Sequence, residues 1–170
     1  MMSIGKILVP IDYSDDSHQA LQWGGSLAKQ YGAHLVLLHV IPKAVEEVFI
    51  HDPGWAPIVT FFDPDTAIER RLHPPEPLII DLEERARAEL AEFARKGLHE
   101  TVPVEMKIAV GKPGEEILRV AREQGVDLIV MGTHGRTGLR HVLLGSVAER
   151  VVRGAPCPVF TVRVGLARAA

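Results

Sequence analysis

Gly132, Gly135, Gly145 and Ser146 stand at spacings that suit them to chemistry. Glycine lacks Cβ, so main-chain N–H groups at such positions can approach an anion closely, and it tolerates φ > 0 where a loop turns sharply. A β-branched apolar run at 127–131 precedes the first glycine. Residues 147–153 then have helical spacing and stop at Gly154, a natural residue for a left-handed helix end. The glycines therefore belong to a strand-loop-helix connection, where bare N–H groups and a positive helix end favour a phosphate. Ser146 is placed to cap that helix or to offer its hydroxyl to a phosphate oxygen. Glu149, three residues on, would complete a Ser-x-x-Glu capping box. A carboxylate there would also repel phosphate, so Glu149 is expected to cap the free protein or to lie aside. A divalent cation and nearby Arg136 or Arg140 would then offset charge. A bare Gly-x-x-Gly fits a ligand-free tight turn as well as a phosphate loop.

The elements that must position this loop alternate between strand and helix. Residues 6–11 read as a first strand without polar alternation, hence buried on both faces. Asp12 ends it, either as a loop carboxylate that caps the next helix or as a ligand contact in the crevice beyond a strand's carboxyl end. Ser14 is a candidate N-cap for a helix over 14–31 that Gly32 stops. Its buried stripe is Ala20, Leu21, Gly24, Leu27, Ala28 and Tyr31, and close packing explains at least one of Gly24 and Gly25. Residues 33–41 form the second strand. His34 and His39 read as ordinary polar or core residues, since no metal-binding spacing accompanies them. A helix over 79–96 buries Leu82, Ala86, Leu90, Phe93 and Ala94, pairs Glu83 with Arg87 and Glu92 with Lys96, and ends at Gly97. A strand over 102–110 follows, then a helix over 115–124 begun by Pro113 and Gly114 and closed by Gly125. Gly111-Lys112 lacks the frame of a P-loop. The final strand covers 157–164, with the alternation of a sheet edge. This order implies an α/β fold: a five-stranded parallel sheet with helices on both faces.

Residues 42–77 break the rhythm, with seven prolines among Phe49, Trp55, Phe61 and Phe62. Such a connection is too long for a simple loop, and its aromatics argue against plain disorder. A self-association surface or a packed surface loop ranks above a lid over a ligand, and 66–72 is a candidate helical turn or two.

The whole chain narrows the function classes. It has 170 residues, 46% of them apolar and 24% charged, with a formal net charge of −3 and 5% aromatics. That suits one globular domain and gives no basic footprint for nucleic acid or an anionic membrane. Cys157 is the sole cysteine, which excludes an intrachain disulfide and favours a reducing, cytoplasmic compartment. It reads as a small buried apolar residue. The first residues run directly into a strand, with no visible secretory signal, and no apolar run is long enough to cross a bilayer.

The full pattern is Gly, two residues, Gly, nine residues, Gly-Ser. It resembles the ATP-binding signature of the universal stress protein family. The resemblance runs through Gly132-Thr133-His134-Gly135-Arg136-Thr137-Gly138 and Gly145-Ser146-Val147-Ala148-Glu149-Arg150-Val151 to Ala155-Pro156-Cys157-Pro158-Val159. It returns at Lys6-Ile7-Leu8-Val9-Pro10-Ile11-Asp12-Tyr13-Ser14, and it covers most of the chain except 42–77. It implies a Rossmann-like three-layer α/β/α domain with strand order 3-2-1-4-5, in which strands one and four lie side by side. It further implies a nucleotide site made of Pro10, Ile11, Asp12, Ser14, Val40, Met131, Gly132, Thr133, His134, Gly135, Arg136, Gly145, Ser146 and Val147. Asp12 would contact the nucleoside, and Val40 would lie beside the adenine through its backbone. The implied ligand is ATP with Mg²⁺ or Mn²⁺, and the implied partner is a second copy, joined through the terminal strand at 159–164. The expected function is a dimeric ATP-dependent switch in stress response.

Two rivals stand beside it. A slow or partner-dependent ATPase would need a residue to orient water and a charge stabiliser; Asp12, His134 and Arg136 are candidates, without a convincing general base. A nucleotide-free interaction protein is the other, and the intact glycine signature counts against it.

Overall fold

Apolar runs without polar alternation become the centre of a parallel sheet. The structure, a computed structural model, describes residues 3–42, 76–135 and 144–164, with side chains of the helix entered at Glu76 described from Leu82. The described elements are β1 (Lys6–Ile11), α1 (Asp15–Tyr31), β2 (His34–Pro42), α2 (Glu76–Gly97), β3 (Val104–Gly111), α3 (Pro113–Gln124), β4 (Leu128–Gly132), α4 (Ser146–Gly154) and β5 (Val159–Val162). All pairings are parallel and the order is β3-β2-β1-β4-β5. β1 and β4 are neighbours, with Ile7 opposite Leu128 and Leu8 opposite Ile129. Their carboxyl ends therefore open on one crevice, where the strand order reverses.

The two faces of the sheet carry separate cores. Ile7, Val9, Ile11, Leu35, Leu37 and Val130 pack under α1 and α2, with Leu21, Leu90 and Ala94. Leu8, Val36, Leu38, Val40, Ile129 and Met131 pack under α3 and α4, with Ile117, Leu118, Ala148 and Val151. Full burial of each Leu or Ile contributes about 1.5–3 kcal/mol. α1 packs closely because Gly24 and Gly25 are both buried, Gly24 against the sheet and Gly25 against Leu98. A Cβ on Gly24 would lie 2.6 Å from Val9 Cγ2, and one on Gly25 would strike Leu98.

Several local expectations are revised. Tyr31 is half exposed and leaves the α1 stripe. Arg87 donates to the Met106 carbonyl at 3.3 Å; the expected Glu92–Lys96 pair is present at 3.1 Å, and Glu92 also holds Arg95 at 2.8 Å. α2 starts three residues before 79. Gly97 is its last residue rather than a cap beyond it, closely apposed to Leu21 and His18. The αL stops among the described glycines are Gly32 and Gly125. Gly154 is not one: α4 passes into an extended Ala155, and Gly154 is small because Leu118 Cδ1 would stand 2.9 Å from a Cβ there. β5 shortens to four residues at the sheet edge, with Phe160 exposed against Trp23 at a ring separation of 5.6 Å. The expectations on 43–75, including the helical turn at 66–72, lie outside the described residues.

Candidate functional site

The tip of β1 is held rigidly. His39 Nδ1–H donates to the Ile11 carbonyl at 2.8 Å. Tyr13 then takes φ = 64°, the left-handed region uncommon for a residue with a side chain, and its ring lies 4.7 Å from His39 and edge-on to Phe93 at 5.4 Å. This turn delivers the chain into α1. Ser14 is the N-cap, its Oγ accepting from Ser17 N at 3.2 Å. Asp12 Oδ1 accepts from Ser14 N at 3.1 Å and from the Ser14 hydroxyl at 2.5 Å, so the carboxylate supports the cap residue. Its other oxygen faces the glycine loop: a Cβ built on Gly135 would lie 2.7 Å from Asp12 Oδ2. One Asp12 oxygen thus supports the start of α1, and the other faces the glycine loop.

The glycine loop leaves and returns at one place. Thr133 N–H donates to the Val162 carbonyl at 2.8 Å, continuing the β4–β5 ladder, and Gly145 N–H donates to the Thr133 carbonyl at 2.8 Å. Asp16, on the first turn of α1, secures the start of the loop. Its Oδ2 accepts from His134 N at 3.0 Å and from Thr133 Oγ1 at 3.0 Å, and its Oδ1 accepts from Val164 N at 3.0 Å. The Thr133 hydroxyl also lies 2.9 Å from His134 Nδ1. One hydroxyl has one hydrogen, and a carboxylate is the stronger acceptor. The arrangement that satisfies every atom is Nδ1–H donating to Thr133 Oγ1, and Thr133 Oγ1–H donating to Asp16.

This geometry redistributes the roles of the glycine signature. The Thr133 and His134 amides are already engaged, by Val162 and Asp16. Gly132 is small for packing: a Cβ there would lie 2.7 Å from Asp16 Cβ, 3.1 Å from Asp16 C and 3.3 Å from Ser17 N, all on α1. None of Gly132, Gly135 and Gly145 has a positive φ, so turn conformation is not what selects glycine at these positions. The N-cap of α4 is Gly145, with no side-chain cap bond, so the capping box proposed around Ser146 is not formed. Glu149 instead turns along the helix to Arg153 at 2.6 Å, away from the helix start, which relieves the repulsion foreseen there. The first intrahelical bond runs from Glu149 N to the Gly145 carbonyl. The N–H groups of Ser146, Val147 and Ala148 therefore have no acceptor within the helix. With exposed Gly135, they are the main-chain donors the described part of the site offers an anion.

Other residues of the expected set stand toward the carboxyl ends of β1, β2 and β4. Pro10 is half-buried and paired with Leu38, and Ile11, Val40 and Met131 are buried in the two cores. Arg136 and Arg140 lie outside the described residues. Among the described residues no group of three His, Cys, Asp or Glu side chains is arranged to hold a metal ion. The sequence gives Asp16 no sign of its part in holding the start of the loop. Its neighbour Asp15 and its place in a first helical turn account for an acidic residue by the helix dipole alone, and only the fold brings Thr133, His134 and Val164 to it.

A model of the universal stress protein family matches residues 3–163. The chain belongs to the universal stress protein family. Universal stress protein YxiE of Bacillus subtilis is 35% identical over 162 residues, covering 93% of this chain and 98% of YxiE. Universal stress protein MJ0577 of Methanocaldococcus jannaschii is 31% identical over 166 residues, covering 93% and 94%. The solved structure of MJ0577 superposes on this universal stress protein with a TM-score of 0.71 at 29% identity, covering 98% and 100% of the two chains. A universal stress protein solved in complex with cAMP shares the fold, with a TM-score of 0.58 at 21% identity over 96% of this chain and 100% of its own. The three-layer α/β fold and its 3-2-1-4-5 sheet are thus those of the family.

Proposed function

We propose that this universal stress protein binds ATP in the crevice between the tip of β1 and the start of α4, and acts as a dimeric nucleotide-dependent switch in stress response. The observation that carries the reading is the approach of two segments more than a hundred residues apart, with Gly135 against Asp12 Oδ2. An acceptor suited to a ribose hydroxyl thus lies beside exposed Gly135, whose N–H is an available main-chain donor. The donor set fits a phosphate chain: the Ser146, Val147 and Ala148 amides stand at the positive end of α4, and Ser146 is exposed. Pro10, Ile11, Val40 and Met131 would contribute from the carboxyl ends of β1, β2 and β4, and the backbone near Val40 would read the base. Mg²⁺ or Mn²⁺ would bridge the phosphates and offset their charge. A MJ0577-like fold and 31% identity to that relative support the family role of the site.

The second copy would join at 159–164. β5 lies at the sheet edge, and Phe160 and Val164 are 40% and 39% exposed, a surface suited to pairing with an identical strand. Among the described residues no helix is long and apolar enough to cross a membrane. With its single, unpaired Cys157, the protein would work in the cytoplasm.

A slow ATPase is the second reading, favoured by the Asp16–Thr133–His134 chain, which fixes the tautomer of an imidazole beside the crevice. Thermal unfolding with and without Mg-ATP tests the binding reading. ATP should raise the Tm of the wild type and leave Gly145→Val unmoved; equal stabilisation of both refutes the phosphate assignment. Steady-state phosphate release above the Gly145→Val background would establish hydrolysis.

A further inference from the structure

Asp16 touches two parts of the molecule that the proposed function treats separately. Through Oδ2 it holds the His134 amide and the Thr133 hydroxyl at the start of the glycine loop, and through Oδ1 it holds the Val164 amide just beyond β5. All three bonds are 3.0 Å, and the carboxylate side chain is only 12% exposed. Charge-assisted bonds of this kind are about twice as strong as neutral ones, and stronger still when shielded from water. A second strut runs parallel to it, from Thr133 N–H to the Val162 carbonyl. The Cβ and backbone of Asp16 lie against Gly132, whose lack of Cβ lets α1 and β4 come together at this point. A displacement of residues 133–134 therefore either strains Asp16 or breaks its bond to Val164.

From this we infer that Asp16 is a positioning residue that couples the glycine loop to the C-terminal end of β5, so that nucleotide at the loop is felt at the sheet edge where a second copy would dock. The inference rests on the proposed nucleotide site and adds its regulation: ligand held beside residues 133–135 tightens the Val164 anchor, and by reciprocity a partner on the edge strand raises ligand affinity. Asp16 needs no contact with the ligand to do this.

Amide hydrogen exchange on the intact chain, read by NMR at Val147 and Val164 with Mg-ATP as the probe, tests it. In the wild type, Val147 should be protected directly. Val164 should slow as well, by up to about 100-fold when free ATP is about 100 times its Kd, because exchange then requires release of ligand. In Asp16→Asn, with ATP raised to the same multiple of that variant's own Kd, Val147 should stay protected while Val164 loses most of its ATP-dependent slowing. Val164 unaffected by ATP in the wild type, or slowed equally in Asp16→Asn, overturns the coupling. An Asp16→Asn protein that folds but fails to bind ATP also overturns it, since Asp16 would then act within the site. Absence of any ATP effect at Val147 in the wild type refutes the nucleotide reading itself, a result distinct from all of these.

Discussion

Replacing Gly132 and Gly145 in turn by alanine separates a glycine needed for folding from one needed for binding. At Gly132 the new Cβ would lie 2.7 Å from Asp16 Cβ, 3.1 Å from Asp16 C and 3.3 Å from Ser17 N. Two of these are backbone atoms of α1, which cannot turn aside as a side-chain tip could. Overpacking of this kind costs about 1–3 kcal/mol, offset by about 0.4–1 kcal/mol from the stiffer unfolded chain, which leaves a net loss near 1–2 kcal/mol. For a chain of this length that is a fall in Tm of about 2–8 °C. At Gly145 the nearest neighbours of a Cβ are the Thr133 carbonyl oxygen at 3.3 Å and His134 Cα at 3.7 Å, and φ is −69°, which any residue adopts. Gly145→Ala should therefore remain within about 1 kcal/mol of the wild type. Urea unfolding followed by circular dichroism reads both. A Gly132→Ala midpoint equal to the wild type, with Gly145→Ala the more damaged, would refute the division of roles drawn from the geometry.

Other outcomes follow from the packing and charge of the described residues. Leu90 is fully buried under α1 and the sheet, so Leu90→Ala should lower unfolding free energy by about 2–5 kcal/mol, and a loss under about 1 kcal/mol would contradict its place in the core. The hydrogen bond from Arg95, with that from Lys96, holds the Glu92 carboxyl at about 2, below its ordinary 4.5. Its contribution is thus present above the unfolded-state pKa and is lost as pH falls through about 2. An NMR titration of the Glu92 carboxyl should find its midpoint well below that of an unpaired glutamate, and an ordinary midpoint would show the pairing to be absent in solution. Burial, and next the nearby Asp127 charge, push the Cys157 thiol up. At pH 8 it should react with a disulfide reagent more slowly than free cysteine, whereas an equal or faster rate would mark it as accessible and ionised.

Much of this architecture is legible in the chain because it rests on short-range rules. Runs such as 6–11 and 127–131 are apolar on both faces and have only one comfortable place, the middle of a parallel sheet. Ser14 and Gly32 mark α1 through cap chemistry that acts within a few residues. Strand order was supplied by the family resemblance, since periodicity says nothing about which strands are neighbours. Most of the misreadings depend on distant contacts. Gly154 looked like a helix stop, yet it is small because Leu118 presses on it across α3 and α4. Ser146 and Glu149 spelled a capping box, yet Gly145 is the cap and Glu149 prefers Arg153, one turn further along. Gly132 looked like phosphate-facing backbone, yet it faces α1. Asp16 carried no signal beyond helix-dipole complementarity, although it organises the loop, because its three partners lie 117 to 148 residues away.

The most direct test of the account is a titration of the assigned amide resonances with Mg-ATP and, separately, with adenosine. The account expects Gly135, Ser146, Val147 and Ala148 to shift with ATP and to move far less with adenosine, while residues near Asp12 and Val40 respond to both. ATP binding that leaves the start of α4 unmoved, or shifts those amides equally with adenosine, would contradict it.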